Sequence, residues 1–264
     1  MTNVSPEHLE YLKKRRRRAW MVKAGQWLIL FVFFGIWELA AAAQLIDPFI
    51  FSQPSRMWKA MIAMAMDGSL FTHISVTLGE AILGFVLSAI LGTLAAVLLW
   101  WNPFLRKTLN PYLVVLNSLP KTALAPIIIV WIGNNVRAVI VTAILTSIVV
   151  TILTALTGFI EVSEDKIKLV ETFGGSKRQV LTKVVLPASA PALVNAMEIN
   201  IGLSFVGVIV GELLTAKAGL GYLIVYGSQI FKMDWVMLSV ILLSLLAALL
   251  YQVIVALEKR WIQK

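Results

Sequence analysis

Six stretches of this chain are long and apolar enough to cross a lipid bilayer, and no other feature constrains the fold as tightly. They run roughly over residues 25–46, 74–101, 112–133, 138–160, 188–214 and 235–257. A crossing helix needs about 20 mostly apolar residues, because the hydrocarbon core is about 30 Å thick and each helical residue rises 1.5 Å. Lipid offers no water to the backbone, so each crossing must be a helix or part of a closed barrel. Stretches of this length read as helices. Composition agrees: 59% of the 264 residues are hydrophobic and 14% are charged, against about 25% charged in soluble domains. The sequence predicts an all-α integral membrane protein of six transmembrane helices. The basic run at the start leads into an apolar segment long enough to span, without a small-residue cleavage pattern, so no cleavable signal peptide is expected.

Lysine and arginine set the orientation, because loops rich in them stay on the cytoplasmic side. With the N-terminus inside, 17 of the 23 basic residues fall inside. These are Lys13, Lys14, Arg15, Arg16, Arg17, Arg18 and Lys23, then Arg106 and Lys107, five in the central loop, and Lys259, Arg260 and Lys264. Five fall outside (Arg56, Lys59, Arg137, Lys217, Lys232), and Lys121 lies within an apolar stretch. Both termini and the central loop are therefore expected in the cytoplasm. The net charge of +9 then reports topology and lipid headgroups, not nucleic acid. Residues 1–24 read as a basic cytoplasmic leader and residues 25–264 as the transmembrane domain.

The longest polar interval between two apolar runs is Glu161 to Pro191, with Lys166, Lys168, Lys177, Arg178 and Lys183. It reads as a helix pair between spans four and five, joined by Gly174-Gly175. In the first helix Ile167, Val170 and Phe173 recur at helical spacing, Ser163 is placed as N-cap, and Glu164 and Asp165 suit the first turn. In the second, Ser176 and Gln179 have capping-box spacing, and Val180, Leu181, Val184 and Val185 line one face. Pro187 cannot donate a helical hydrogen bond, so it closes this unit or opens the next. An amphipathic pair held outside the bilayer between two spans calls for a protein partner. Two more features stand out. Pro54 followed by Met57, Trp58, Met61, Ile62 and Ala65 predicts a short interfacial helix, and Pro120 and Pro126 break the third span.

Enzymatic chemistry finds little support. Lys107-Thr108 and Lys121-Thr122 lack the upstream glycines of a phosphate-binding loop. There is no cysteine, and His8 and His73 stand far apart, so neither a metal site nor a catalytic residue is assigned. An enzyme would have to rest on intramembrane Glu80 or Glu198.

Gly174, nine residues, then Val184-Val185-Leu186-Pro187 resembles the coupling loop of ABC-importer membrane subunits. That signature begins Glu-Ala-Ala and runs through Gly to Ile-x-Leu-Pro. The opening departs: Lys168-Leu169-Val170 occupies the Glu-Ala-Ala places, and Glu171 lies three residues later. Leu119-Pro120, Ala125-Pro126 and Trp131-Ile132-Gly133 are similar to the third span of sulfonate, taurine and nitrate importer permeases. Gly211-Glu212-Leu213 and Gly219-Leu220-Gly221-Tyr222 look like that family's fifth-span end and following loop. The resemblance covers most of the chain. It implies a type I importer permease in a bacterial plasma membrane, paired with a second copy as a homodimer. Two cytoplasmic ATPases would engage loop 161–187 and bind ATP and Mg, leaving no cofactor in this chain. An extracytoplasmic binding protein would deliver a small solute, which crosses by alternating access. The residues so assigned to ATPase coupling are Ser163, Lys168, Glu171, Phe173, Gly174, Gly175, Ser176, Lys177, Arg178, Leu186 and Pro187.

Ionisable residues inside spans cost about 2.5–3.5 kcal/mol on insertion scales and default to functional candidates. Glu80, Lys121, Glu198 and Glu212, with the polar Asn117, Asn195, Asn200 and Ser204, are the expected translocation pathway. The alternative is that they pair with one another and hold the bundle. Asn195 and Glu198 share one helix face, and Asn200 and Ser204 another, so one of these faces packs against a neighbouring span. In sulfonate-like relatives the positions matching Glu80 and Glu198 are often arginine. Acids there repel anions and lean towards a cationic or neutral solute such as a thiamine-precursor-like heterocycle. A Lys121–Glu198 pair would cancel that effect. Two rivals are a stand-alone secondary transporter, which would need an inverted repeat of spans, and a structural or enzymatic membrane component. The topology has a direct test in a cysteine-free chain. Ser69→Cys should react with an impermeant thiol reagent from outside and Ser176→Cys only from inside; the opposite pattern would overturn the orientation.

Overall fold

The computed structural model describes residues 6–215 and 217–262. Met1 to Ser5 of the basic leader and Lys264 lie outside the described residues, as do the side chains of His8, Lys13, Lys259 and Arg260. Every regular element among the described residues is helical. Helix α1 (Pro6–Ala42) runs without a break from the leader into the first span. None of its spanning window is buried. At the far end of the bundle come α2 (Pro48–Phe51) and α3 (Pro54–Met66), each opened by its proline. Met57 and Met64 of α3 are buried, while Trp58 and Ile62 are exposed. Helix α4 (Ser69–Trp101) then crosses back. Asp67 accepts the Ser69 N–H at 2.8 Å, and its hydrogen bonds from Ser69 hold this carboxyl below its ordinary pKa.

The third crossing differs most from its sequence expectation. It consists of α5 (Pro103–Ser118), a 3₁₀ turn (Lys121–Leu124) and α6 (Ala125–Ile132), with α5 and the second half bent by 87°. The break falls at Leu119-Pro120. A residue before proline is pushed out of the helical region, and Leu119 is extended at φ −66° and ψ 139°. Pro126 does not break the chain further. It sits in the first turn of α6, where its missing N–H has no helical partner to lose. Helix α5 starts well before residue 112, because Asn102 caps it by accepting the N–H groups of Phe104 and Leu105, both at 3.1 Å. Among the described residues five helices are each long and apolar enough to span, and the bent pair makes up to six.

Helix α7 (Val136–Ile160) lies at the centre, with half of its spanning window buried. It is followed by α8 (Glu164–Thr172), α9 (Lys177–Val180), a π-turn (Leu181–Val185), α10 (Leu186–Ala188), α11 (Ala190–Thr215), α12 (Leu220–Gln229) and α13 (Met233–Ile262). Helices α4 and α11 pack on α7 at very short range. Gly84 and Gly207 both meet Ala143, Gly92 meets Thr151, and Gly211 meets Val139. A Cβ on Gly207 would stand 2.5 Å from the Ala143 Cα. Lipid provides no hydrophobic drive between helices, so close van der Waals approach through small residues is what holds them. Two apolar clusters complete the packing. One joins Val139, Ala143, Phe205 and Val208 to Leu220, Leu223 and Leu238. The other, at the end bearing the central polar segment, joins Ala96, Leu99, Leu156 and Phe159 to Val180, Leu181 and Val185.

Candidate functional site

The central segment is built largely from local rules. Helix α8 ends in a Schellman motif: the Gly174 N–H donates to the Glu171 carbonyl and the Gly175 N–H to the Val170 carbonyl, both at 2.9 Å. The two glycines are needed for different reasons. Gly174 has φ +77°, a left-handed conformation that side chains strain. Gly175 lies so close to Val170 that a Cβ would stand 2.7 Å from its carbonyl oxygen. The Ser176–Gln179 capping box forms, with the Ser176 N–H donating to Gln179 Oε1 at 2.7 Å. Ser163 departs from its expectation. It holds the N-cap position of α8, yet its side chain accepts no N–H, so the negative charges of Glu164 and Asp165 in the first turn serve that end. Lys168 and Glu164 form an exposed ion pair one turn apart, at 3.1 Å. Pro187 stands in the first turn of α10. Just before it the helix widens, and the Leu186 N–H reaches back five residues to the Leu181 carbonyl.

The apolar face of this segment is already covered in the second helix, whose Val180, Leu181 and Val185 are buried against the ends of α4 and α7. What remains open is Phe173, 84% exposed, with Leu169, Glu171 and Arg178 also at the surface.

The polar residues of the spans fall into separate groups. Asn200 and Ser204 are fully buried between helices. Asn200 Oδ1 accepts from Ser88 Oγ at 2.7 Å and from Ser204 Oγ at 2.9 Å. Ser204 Oγ also lies 3.3 Å from Ser147 Oγ, so α4, α7 and α11 share one hydrogen-bonded knot. Glu212 is 1% exposed, and its carboxylate caps α12 from a distance. It accepts the N–H group of Gly221 in the first turn, and Thr77 donates to its Oε1 at 2.6 Å. A Cβ on Gly219 or Gly221 would collide with this carboxylate. The Glu80 carboxyl group lies beside that of Glu212, and its buried Oε2 has no hydrogen-bond partner among the described residues. His73 joins the same corner, accepting the Gly219 N–H at Nδ1 at 3.0 Å.

The other face of α11 is open. Asn195 is exposed and Glu198 half-buried, and no ion pair among the described residues includes Glu198. Asn195 lines a groove of about 300 Å³ with Thr154, Thr157 and Glu161. Lys121 does not reach Glu198. Its Nζ donates to Asn117 Oδ1 at 3.3 Å on the exposed surface of the bend. The structure thus separates the faces that sequence spacing distinguished: Asn200 and Ser204 pack, and Asn195 and Glu198 stay accessible. Thr77, Ser88, Ser147 and Glu161 were absent from the expected set. The signal for Thr77 and Ser88 was the recurrence of Thr77, Glu80, Gly84 and Ser88 at three and four residues along one side of α4. No group of His, Asp or Glu that could hold a metal ion occurs among the described residues.

Residues 84–264 match the model of a known family, described as the inner membrane component of binding-protein-dependent transport systems. The chain belongs to that family. It is the permease subunit of an ABC importer, a multi-pass inner-membrane protein whose ATPase activity resides on a separate chain. The family implies an ATPase and a substrate-binding protein as partners. The permease is 31% identical over 224 residues to the formylaminopyrimidine transport permease protein ThiX of Halalkalibacterium halodurans, covering 84% of this chain and 88% of that one. It is 25% identical over 236 residues to the taurine permease TauC of Escherichia coli, covering 88% and 86%. It is 24% identical over 246 residues to the putative aliphatic sulfonates permease SsuC of Bacillus subtilis, covering 93% and 88%. Among solved structures, the inward-facing MetNI methionine ABC transporter superposes with a TM-score of 0.62 at 21% identity, covering 75% of this chain and 97% of that one. That likeness concerns the fold.

The cap on α12 makes a prediction. Glu212→Ala should remove the acceptor for the Gly221 N–H, at a cost of about 0.5–2 kcal/mol for the cap alone. Hydrogen exchange by mass spectrometry should then show faster exchange over 219–229, with α7 unchanged. Unaltered exchange at the start of α12 would refute the capping role.

Proposed function

We propose that segment 161–187 is the face through which the partner ATPases act on this permease, and that two copies of the chain enclose one path. Support comes from the division of labour within the segment. One side is locked to α4 and α7, while Phe173 and Leu169 remain uncovered on a helix turn held by Gly174 and Gly175. ATP and Mg belong to the partner ATPases. Closure of two ATPases around nucleotide displaces α8 and α9. Because Val180, Leu181 and Val185 are packed on Ala96, Leu99 and Phe159, that displacement passes into α4 and α7. The orientation is N-terminus and C-terminus inside, as the basic residues require.

The solute is a small cationic or neutral nitrogen heterocycle. The observation that carries this reading is Glu198: half-buried on the open face of α11, next to Asn195, with no cation paired to it. In a two-fold dimer the carboxylate occurs twice about the axis, and a pair of carboxylates in a low-dielectric path repels anions. Glu80 and Glu212 do not add to this field at the path. They are turned into the α4–α11–α12 corner. Among the named relatives, the formylaminopyrimidine permease fits this charge better than the taurine or sulfonate permeases.

Uptake by the reconstituted complex, with its own ATPase and binding protein, tests the reading over formylaminopyrimidine, taurine and nitrate. The heterocycle should be the transported solute. Glu198→Arg should lower its uptake about tenfold or more, the effect of ~1.4 kcal/mol. Transport of taurine or nitrate, unaffected by Glu198→Gln, would sink the assignment.

A further inference from the structure

Lys177 stands in a place its own helix does not favour. It is the first residue of α9, where a cation opposes the helix dipole. Its ammonium group instead reaches a residue 76 positions earlier in the chain, donating to the Trp101 carbonyl at 2.6 Å. Trp101 is the last residue of α4. The last four carbonyls of any helix lack intrahelical donors, and a lysine there both satisfies a carbonyl and complements the negative end of the dipole. The same ammonium lies 5.4 Å from the Trp101 ring centroid and 5.9 Å from that of Trp100, within cation–π range. Three favourable contacts therefore converge on one side chain, and all three lie on α4. None lies on the surface left open around Phe173.

We infer that Lys177 is a positioning residue which fastens the start of α9 to the end of α4, so that α4 moves with the central segment. The inference rests on the coupling role proposed for segment 161–187. It changes what Lys177 does there: the side chain is an internal strut, not a contact offered to the ATPase. The apolar contacts of Val180, Leu181 and Val185 lie further along the segment. These contacts reach both α4 and α7 and hold the later part of the segment to both; without Lys177 the tip carrying Gly174 and Gly175 would swing about them relative to the end of α4.

The chain has no cysteine, so spin labels can be placed freely. One pair, Leu98→Cys with Thr172→Cys, reports the distance from α4 to the tip of the segment. A second pair, Leu145→Cys with Thr182→Cys, reports the distance from α7 to the part of the segment that the apolar contacts anchor. Both are measured by double electron–electron resonance on the permease alone in lipid nanodiscs. Lys177→Met keeps the aliphatic stem but loses the donor and the charge; Lys177→Arg keeps both. The expected result is a distance distribution for the α4 pair that broadens clearly in Lys177→Met and returns to the native width in Lys177→Arg, while the α7 pair stays unchanged. A native distribution in Lys177→Met would overturn the inference. So would equal broadening of both pairs, which would mean general loosening, or failure of Lys177→Arg to restore the width. No ATPase is present in this measurement, so its failure leaves the ATPase-docking reading standing, and failure of docking would be seen separately as loss of the assembled complex.

Discussion

The structure depends on how closely α4 and α11 can approach α7. In water, burial of apolar surface would draw these helices together; in lipid that drive is missing, and contact distance takes its place. Gly84, Gly92, Gly207 and Gly211 remove the side chains that would hold the axes apart, and Ala143, Val139 and Thr151 fill the space. Everything functional is hung on this three-helix centre. The knot of Asn200, Ser204, Ser88 and Ser147 lies inside it. The segment of α8 to α10 rests on one of its ends, and α12 rests against the other.

Helix ends that meet the bundle need acceptors for their N–H groups, since lipid supplies none. Two acids supply them from other helices. Glu212 of α11 receives the first turn of α12. Glu38 of α1 accepts the Ser55 N–H at 2.9 Å in the first turn of α3. An intramembrane carboxylate is costly, and Glu212 is used where two donors, Thr77 and the Gly221 N–H, converge. Glu198, half-buried on the open face of α11 and in no ion pair among the described residues, is the acid on which the proposed solute charge rests.

Much of this was legible in the sequence, and the reasons for the remainder are specific. Span length needs only hydropathy, so the crossings were evident, as was the kink at Pro120, which follows from proline's own geometry. The early start of α5 was hidden because Arg106 and Lys107 lower the hydropathy of its first turns. The capping box at Ser176 and the turn at Gly174 depend on neighbours in sequence and were readable. Ser163 had the right residue type and position but not the bond. Helical periodicity separated the Asn195–Glu198 face from the Asn200–Ser204 face without saying which was buried; that depends on where α4 and α7 lie. The Glu212 cap and the Lys177–Trp101 contact join residues that only the folded chain brings together, and no local pattern announces them.

The central claim is that force enters this permease at the exposed turn around Phe173, because the rest of the segment is already committed to α4 and α7. A photo-activatable amino acid in place of Phe173, introduced in cells that carry the whole transport system, tests this most directly. The expected result is an ultraviolet-dependent adduct between the permease and an ABC ATPase chain, identified by mass spectrometry. Co-purification of the ATPase without any adduct from this position would contradict it.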